Sequence, residues 1–176
     1  MPENENMCSR TLKSQWFAIQ TVAKHEKSVT KHLQEKDVDT FLPLLPETHR
    51  WSDRRTKVDV PLFSCYTFVR ISPAPEKRLP VLTTPGVLGF VGRQRQGTAI
   101  PDSDIDHLMT ALKNGDHCIP HPFLRAGRRV RIRGGSLAGI EGILVREGAD
   151  QSVVVSVHLL QRSVAIKIRG YELEFL

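Results

Sequence analysis

The spacing of apolar positions along the chain changes period several times, and each change marks an element. Trp16 to Val22 alternates and is rich in strand formers, which predicts a strand. From Lys24 to Lys36 the spacing turns helical, with Val29 and Leu33 on one face and Glu26, Lys27, Lys31 and Glu35 on the other. Strand signals return at Val38 to Leu45 and stop at Pro43 and Pro46. Thr48 to Lys57 is polar and basic and reads as a long hairpin or an exposed loop. Val58 to Phe63 and Tyr66 to Ile71 are two apolar strands separated by Ser64-Cys65.

Pro73, Pro75 and Pro80 break the following stretch, and Thr83-Thr84-Pro85-Gly86 carries a turn signal. Val87 to Gly92 is a short strand. Asp102 or Ser103 caps a helix whose apolar face is Ile105, Leu108, Met109 and Leu112, ended by Gly115. Asp116 to Pro122, with two prolines, reads as a linker. Beyond it every segment reads as strand, including Ser152 to Val157, Ser163 to Ile168 and Tyr171 to Leu176. The expected architecture is therefore α+β for residues 15–115, a linker over 116–122, and a five-stranded barrel over 123–176. Residues 1–14 read as a disordered lead-in.

The richest local pattern lies at Phe123 to Val145. A basic β-branched strand (Val130, Ile132) enters Gly134-Gly135, a loop centred on Leu137 follows, and Gly139 and Gly142 lead into Ile143-Leu144-Val145. Glycine at such points lets the backbone adopt positive φ in a tight turn.

Composition narrows the class. The 176 residues carry a net charge of +6, divided as +2 over residues 1–122 and +4 over 123–176. A basic small domain is compatible with nucleic acid, yet a solvated basic surface accounts for that charge equally well. No stretch reaches the apolar length of a membrane span, and the acidic start Met-Pro-Glu-Asn-Glu is no secretory signal, so a cytoplasmic protein without a membrane partner is expected. Three separated cysteines, Cys8, Cys65 and Cys118, argue against a disulfide framework.

Reactive chemistry finds little support. His117-Cys118-Ile119-Pro120-His121 groups three soft ligands, with His107 earlier in the chain, but no fourth ligand has zinc spacing. Cys65 with His49 lacks the setting that activates a thiolate. Phosphate-binding, dinucleotide and paired-carboxylate motifs are not found in the sequence. The expectation is a protein that is not an enzyme and needs neither cofactor nor metal.

Several motifs recur in a fixed order: Trp16-Phe17, Lys24-His25-Glu26-Lys27, Pro61 to Val69, and Thr84-Pro85-Gly86-Val87-Leu88-Gly89-Phe90-Val91-Gly92. The glycine-spaced run of the third part resembles the KOW motif. Together they make residues 15–176 resemble the NusG family, with the specialised antitermination paralogues of the UpxY and RfaH type nearest. The basic Arg50 to Lys57 segment and Leu159-Leu160-Gln161-Arg162-Ser163-Val164 suggest that subtype.

The resemblance implies an NGN domain, an antiparallel sheet flanked by helices, followed by an SH3-like KOW barrel. It implies a transcription elongation and antitermination factor that suppresses pausing by binding the clamp helices of RNA polymerase. The matching patch is Phe63, Tyr66, Phe68, Val87 and Phe90, expected to face outward at Tyr66 and Phe68 above all, with ordinary core residues as the other reading. Contact with the non-template DNA strand would fall to Lys24, His25, Arg54, Arg55, Thr83 and Thr84. The two threonine hydroxyls are equally suited to holding their own turn. Leu159, Leu160 and Arg162 match the loop that recruits a ribosomal protein or Rho, with a plain turn as the other reading. A monomer is expected. The family pattern Phe-Pro-Gly-Tyr appears here as Phe63-Ser64-Cys65-Tyr66, so this bend need not take a conformation reserved for glycine. The β-branched runs 152–157 and 164–168 favour a permanent barrel over a helical hairpin. An RNA- or ribosome-binding protein acting in translation is the alternative. It calls for a Lys/Arg face continuous over both domains.

Overall fold

A computed structural model describes residues 13–50, 55–93, 96–114, 118–124, 127–147, 150–168 and 171–176. The expected lead-in 1–14 lies outside them except for Lys13 and Ser14, as do Arg54 and His117.

The first unit is built on β1 (Gln15–Thr21), which is central because both of its faces are apolar. It pairs antiparallel with β5 (Tyr66–Ile71) on one side and with β6 (Val87–Phe90) and β7 (Ala99–Ile100) on the other. A short edge strand, β2 (Asp39–Phe41), flanks β5. Strand alternation sends Phe17 and Ile19 to one face, where Val29 and Leu33 of α1 (Glu26–Gln34) and Val81 of α2 (Pro75–Leu82) cover them. Trp16 and Ala18 face the opposite layer, formed by Ile105, Leu108 and Ala111 of α3 (Asp102–Asn114). Strands β3 (Leu44–Arg50) and β4 (Arg55–Pro61) pair antiparallel as a separate two-stranded sheet, with Thr48 opposite Lys57 and Arg50 opposite Arg55; residues 51–54 of the expected hairpin or loop lie outside the described residues.

Helix α2 is a correction, because prolines were expected to break this stretch. Pro75 stands at the first helical turn, where a missing N–H costs nothing. Pro80 is tolerated one turn from the end of the helix. There the Thr83 hydroxyl donates to the Leu79 carbonyl at 2.9 Å, and the Thr84 hydroxyl to the Pro80 carbonyl at 2.8 Å.

The second unit is a six-stranded antiparallel sheet in the order β13-β9-β10-β11-β12-β8. It comprises β8 (Cys118–Pro122), β9 (Arg128–Arg133), β10 (Glu141–Glu147), β11 (Asp150–Val157), β12 (Arg162–Ile168) and β13 (Glu172–Phe175). Val130, Ile132, Val153, Val155, Val157, Val164 and Ile166 point inward around Leu137 and Ile140. Residues 118–122 belong to this sheet as β8, where a linker was expected. Pro120 and Pro122 are accommodated because β8 is an edge, with one side free of ladder bonds. The glycine turn folds as its spacing demands. Gly134, Gly135 and Gly139 have φ of 74°, 70° and 85°. Gly142 instead permits close approach, since a Cβ there would stand 2.5 Å from the Val154 carbonyl oxygen.

The two units touch across α3, whose far side packs against β11. Asn114 donates to the Ser136 carbonyl at 3.0 Å, and the Cys118 thiol to the Ala111 carbonyl at 3.3 Å. His158 Nδ1 lies 3.6 Å from an Asp104 carboxylate oxygen. A cleft of about 710 Å³ between Asp104, His107, Arg129, Glu141 and His158 accompanies this contact.

Candidate functional site

The patch expected on the first unit divides in two. Phe68 is fully buried, and Phe63 and Phe90 are 4% and 5% exposed. Phe68 stacks on Phe41 at 5.9 Å and meets the edge of Phe63 at 6.3 Å, while Trp16 meets Phe41 at 6.5 Å. Leu45, Leu62 and α3 belong to the same cluster. Phe90 packs edge-on to Phe17 at 5.9 Å on the opposite face, under the Arg78 guanidinium. Phe63, Phe68 and Phe90 are therefore core residues, which corrects the outward-facing reading for these three. Strand alternation together with helices on both faces gives the rings complete cover. Tyr66 and Val87 are half-buried and keep part of their surface in solvent.

What stays open is one end of the sheet. Tyr66, Gln20 and Gly89 form a row across β5, β1 and β6 on the Trp16 face. Gln20 is exposed, and a Cβ at Gly89 would find nothing within 4 Å. Beside this row the register shifts at Gln20/Thr21, so Leu88 is left without a partner on β1. Its side chain stands out, 56% exposed. The result is a shallow ledge bounded by Tyr66 and Leu88. Neither Gln20 nor Leu88 was singled out from the sequence, because a bulge has no periodicity to betray it.

The bend Phe63-Ser64-Cys65-Tyr66 holds one side of the ledge. Cys65 has φ of 68°, so it takes the left-handed conformation that glycine favours, contrary to expectation. A distant residue stabilises it. Glu26, buried at the start of α1, accepts the Cys65 N–H at 2.7 Å. The Cys65 carbonyl accepts from Thr21 N–H at 2.9 Å, which ties the bend to the end of β1.

The residues expected at DNA behave differently from one another. Thr84 is buried, and its hydroxyl is held between the Pro80 carbonyl and Lys36 Nζ, the latter at 2.8 Å. A nucleic-acid contact by Thr84 is therefore withdrawn. Thr83 is exposed, but its hydroxyl donates to the carbonyls of Leu79 and Pro80. Lys24 and His25 are exposed next to the Pro85-Gly86 turn, since Val22 N–H donates to the Gly86 carbonyl at 2.9 Å. Gly86, with φ of 89°, packs so closely that a Cβ would lie 2.9 Å from Val29. Arg55 opens β4 at the far end of the hairpin. Lys36 was missed because its partners lie 44 and 48 residues away.

In the second unit Leu159 and Leu160 are half-buried in a single 3-10 turn, His158–Leu160, followed by Gln161 at φ 50°. His158 turns toward Asp104 of α3, and Arg162 is exposed. The outward arginines of β9 are paired. Arg131 binds Glu141, and Arg133 binds Glu174 at 2.7 Å. These hydrogen bonds hold both carboxyls below the ordinary range. Arg129 adds to Glu141 at 3.6 Å. The charge of this strand is thus partly matched within the unit, by two carboxylates against four arginines, which interrupts the continuous basic face that the translation alternative needs.

Cys118 is half-buried, and desolvation pushes its thiol up to about 11. His121 Nδ1 lies 2.8 Å from the Pro122 carbonyl oxygen. Among the described residues no group of three or more His, Cys, Asp or Glu is placed to hold a metal. No helix among them is long and apolar enough to cross a membrane.

An α+β unit with an open ledge at one sheet end, joined to a small β unit by way of α3, defines the class: an NGN domain followed by a KOW-type domain. The family described as "Transcription termination factor nusG" matches residues 14–109. The chain belongs to the NusG family. It is 23% identical over 180 residues to the transcription termination/antitermination protein NusG of Lactococcus lactis, covering 90% of this chain and 91% of that one. It is 25% identical over 174 residues to the NusG of Staphylococcus carnosus, covering 90% and 94%. A solved structure concerned with domain interaction in Thermotoga maritima NusG superposes with a TM-score of 0.55 at 18% identity, covering 92% of this chain and 97% of that one. These relatives are named as transcription factors and not as enzymes.

Proposed function

We propose that the chain is a transcription elongation and antitermination factor that docks on the clamp helices of RNA polymerase through its NGN domain, suppressing pausing and modulating termination. The observation that supports this reading is the ledge. A partner helix needs an open, partly apolar surface on a rigid support. The Tyr66–Gln20–Gly89 row with Leu88 at its rim offers one, and the buried rings of Phe63 and Phe68, with half-buried Phe41 stacked on Phe68, stiffen it from beneath. Val87 is half-buried on the opposite face, against the cluster of Phe17 and Val29, and lies outside the ledge. Binding a closed clamp more tightly than an open one shifts the population away from the paused state without chemistry.

Lys24 and His25, exposed beside the Thr83–Gly86 turn, are the groups best situated for the phosphates of a non-template strand, with Arg55 on the hairpin as a separate contact. Arg162 and the outer parts of Leu159 and Leu160 are the proposed contact for a ribosomal protein or Rho. The test is a pull-down with core RNA polymerase. Tyr66→Ala combined with Leu88→Asp is expected to reduce retention at least about tenfold, the effect of losing one interface anchor. Full retention by a folded double variant overturns the reading.

A further inference from the structure

Glu26 opens α1 and carries a carboxylate, yet it is only 4% exposed. A charge taken out of water costs stability unless its surroundings compensate it. Among the described residues no cation pairs with it. Its compensation is the start of its own helix and one backbone donor, the Cys65 N–H at 2.7 Å. That donor belongs to a residue held at φ 68°, a conformation that a side chain with a Cβ enters at a cost. From Cys65 the tie runs to both sides of the ledge. The Cys65 carbonyl accepts from Thr21 N–H at 2.9 Å, at the register shift that leaves Leu88 without a partner. Tyr66, the next residue, donates its N–H to the Phe63 carbonyl at 3.2 Å and pairs with Gln20. One residue further, the Thr67 and Thr30 hydroxyls stand 3.3 Å apart and join α1 to β5 a second time.

We infer that Glu26 is the positioning residue of the ledge: by holding Cys65 left-handed, it presents Tyr66 and the end of β1 to a partner helix in one arrangement before docking. The inference rests on the docking reading of the ledge and adds the residue that sets its affinity. Glu26 offers a partner almost no surface, so its effect on binding passes through Cys65. Were Cys65 to relax to negative φ, the chain would leave the bend in another direction and Tyr66 would lose its place opposite Gln20. A partner then binds only the fraction of molecules whose bend is formed, and the apparent affinity falls by that fraction. The left-handed strain of a residue with a Cβ corresponds to a factor of about 5–30 at room temperature. A charge-assisted hydrogen bond belongs to the class strong enough to offset it. Glycine would hold the same bend without that strain, so the need for Glu26 is created by the side chain at position 65.

The experiment combines affinity for core RNA polymerase with amide hydrogen exchange in the free full chain, both well below the melting temperature. Glu26→Ala is expected to weaken polymerase binding about 5–30-fold, the factor set by the uncompensated strain. It should speed exchange of the Cys65 and Thr21 amides while the α3 amides stay as in the wild type. Glu26→Gln keeps an acceptor oxygen and should recover most of both losses. In a Cys65→Gly background, Glu26→Ala should weaken binding less than it does when Cys65 is present. Glu35→Gln removes an exposed charge at the C-terminal end of α1 and should leave both readouts unchanged. Binding or Cys65 exchange of Glu26→Ala at the wild-type level overturns the inference. So does an equal loss in the two backgrounds, and so does an equal acceleration of the α3 amides, which marks a general loss of stability. A wild type that does not bind polymerase at all overturns the docking reading itself, an outcome distinct from each of these.

Discussion

Replacing Phe68 with alanine separates a core aromatic from a docking aromatic. The ring is fully buried between Phe41, Phe63 and the layer of α3. Removing a buried Phe side chain costs about 3–5 kcal/mol through lost transfer energy and the cavity left behind. Its two aromatic neighbours add about 0.5–1.5 kcal/mol each beyond burial, which places Phe68→Ala in the upper part of that range, about 4–5 kcal/mol. For a unit of this size each kcal/mol moves the melting temperature by about 4–8 °C, so a fall of at least about 16 °C is expected. Tyr66→Ala, at a half-buried position, should cost about 1–2 kcal/mol by the same reasoning. Thermal melts followed by near-UV circular dichroism measure both. Phe68→Ala melting within about 3 °C of wild type while losing polymerase affinity would refute the reasoning, because it would put the ring on the surface.

Further expectations follow from the polar contacts. Thr84→Val keeps the shape but leaves Lys36 and the Pro80 carbonyl each short of a bond, and should lower the urea unfolding free energy by about 1–2 kcal/mol. Glu141 and Glu174 have carboxyls held below their ordinary range by Arg131 and Arg133. A depressed carboxyl stabilises the fold above its unfolded pKa, about 4.3, and that contribution is lost as pH falls through the lower folded value. The urea midpoint should therefore decline below about pH 5, and Glu174→Gln should flatten the decline; an unchanged profile in the variant would count against the pairing. Cys118, with its thiol pushed up to about 11, should react with iodoacetamide at pH 8 about two hundredfold more slowly than a free thiol. Peptide mass spectrometry resolves the site, and a rate equal to that of glutathione would contradict the burial.

Much of the fold was legible because it rests on periodicity. Trp16 to Thr21 is dense in strand formers on both faces, Ile105, Leu108, Met109 and Leu112 recur at helical spacing, and the turn glycines mark positive φ. The misreadings share a cause in context. Prolines read as breakers, yet Pro75 sits at a helix start and Pro120 and Pro122 on an edge strand, the places where a missing N–H is harmless. The patch was legible as aromatic but not as covered. A strand with apolar residues on both faces gives no sign of which face a later helix, 34 or more residues on, will close; α3 closes the face of Phe68. Cys65 was misjudged because its stabilising partner, Glu26, is 39 residues away. The ledge itself arises from a register shift, and only pairing partners reveal that.

The central claim is that polymerase meets this protein at the uncovered end of the sheet, while the phenylalanines beneath remain core. Hydrogen–deuterium exchange of the full chain with and without core RNA polymerase tests it most directly. Protection gained in peptides covering Ser64–Thr67 and Val87–Val91, with α3 and its neighbours unchanged, is the predicted result. Protection confined to the hairpin or the barrel, with those peptides exchanging as in the free protein, would contradict it.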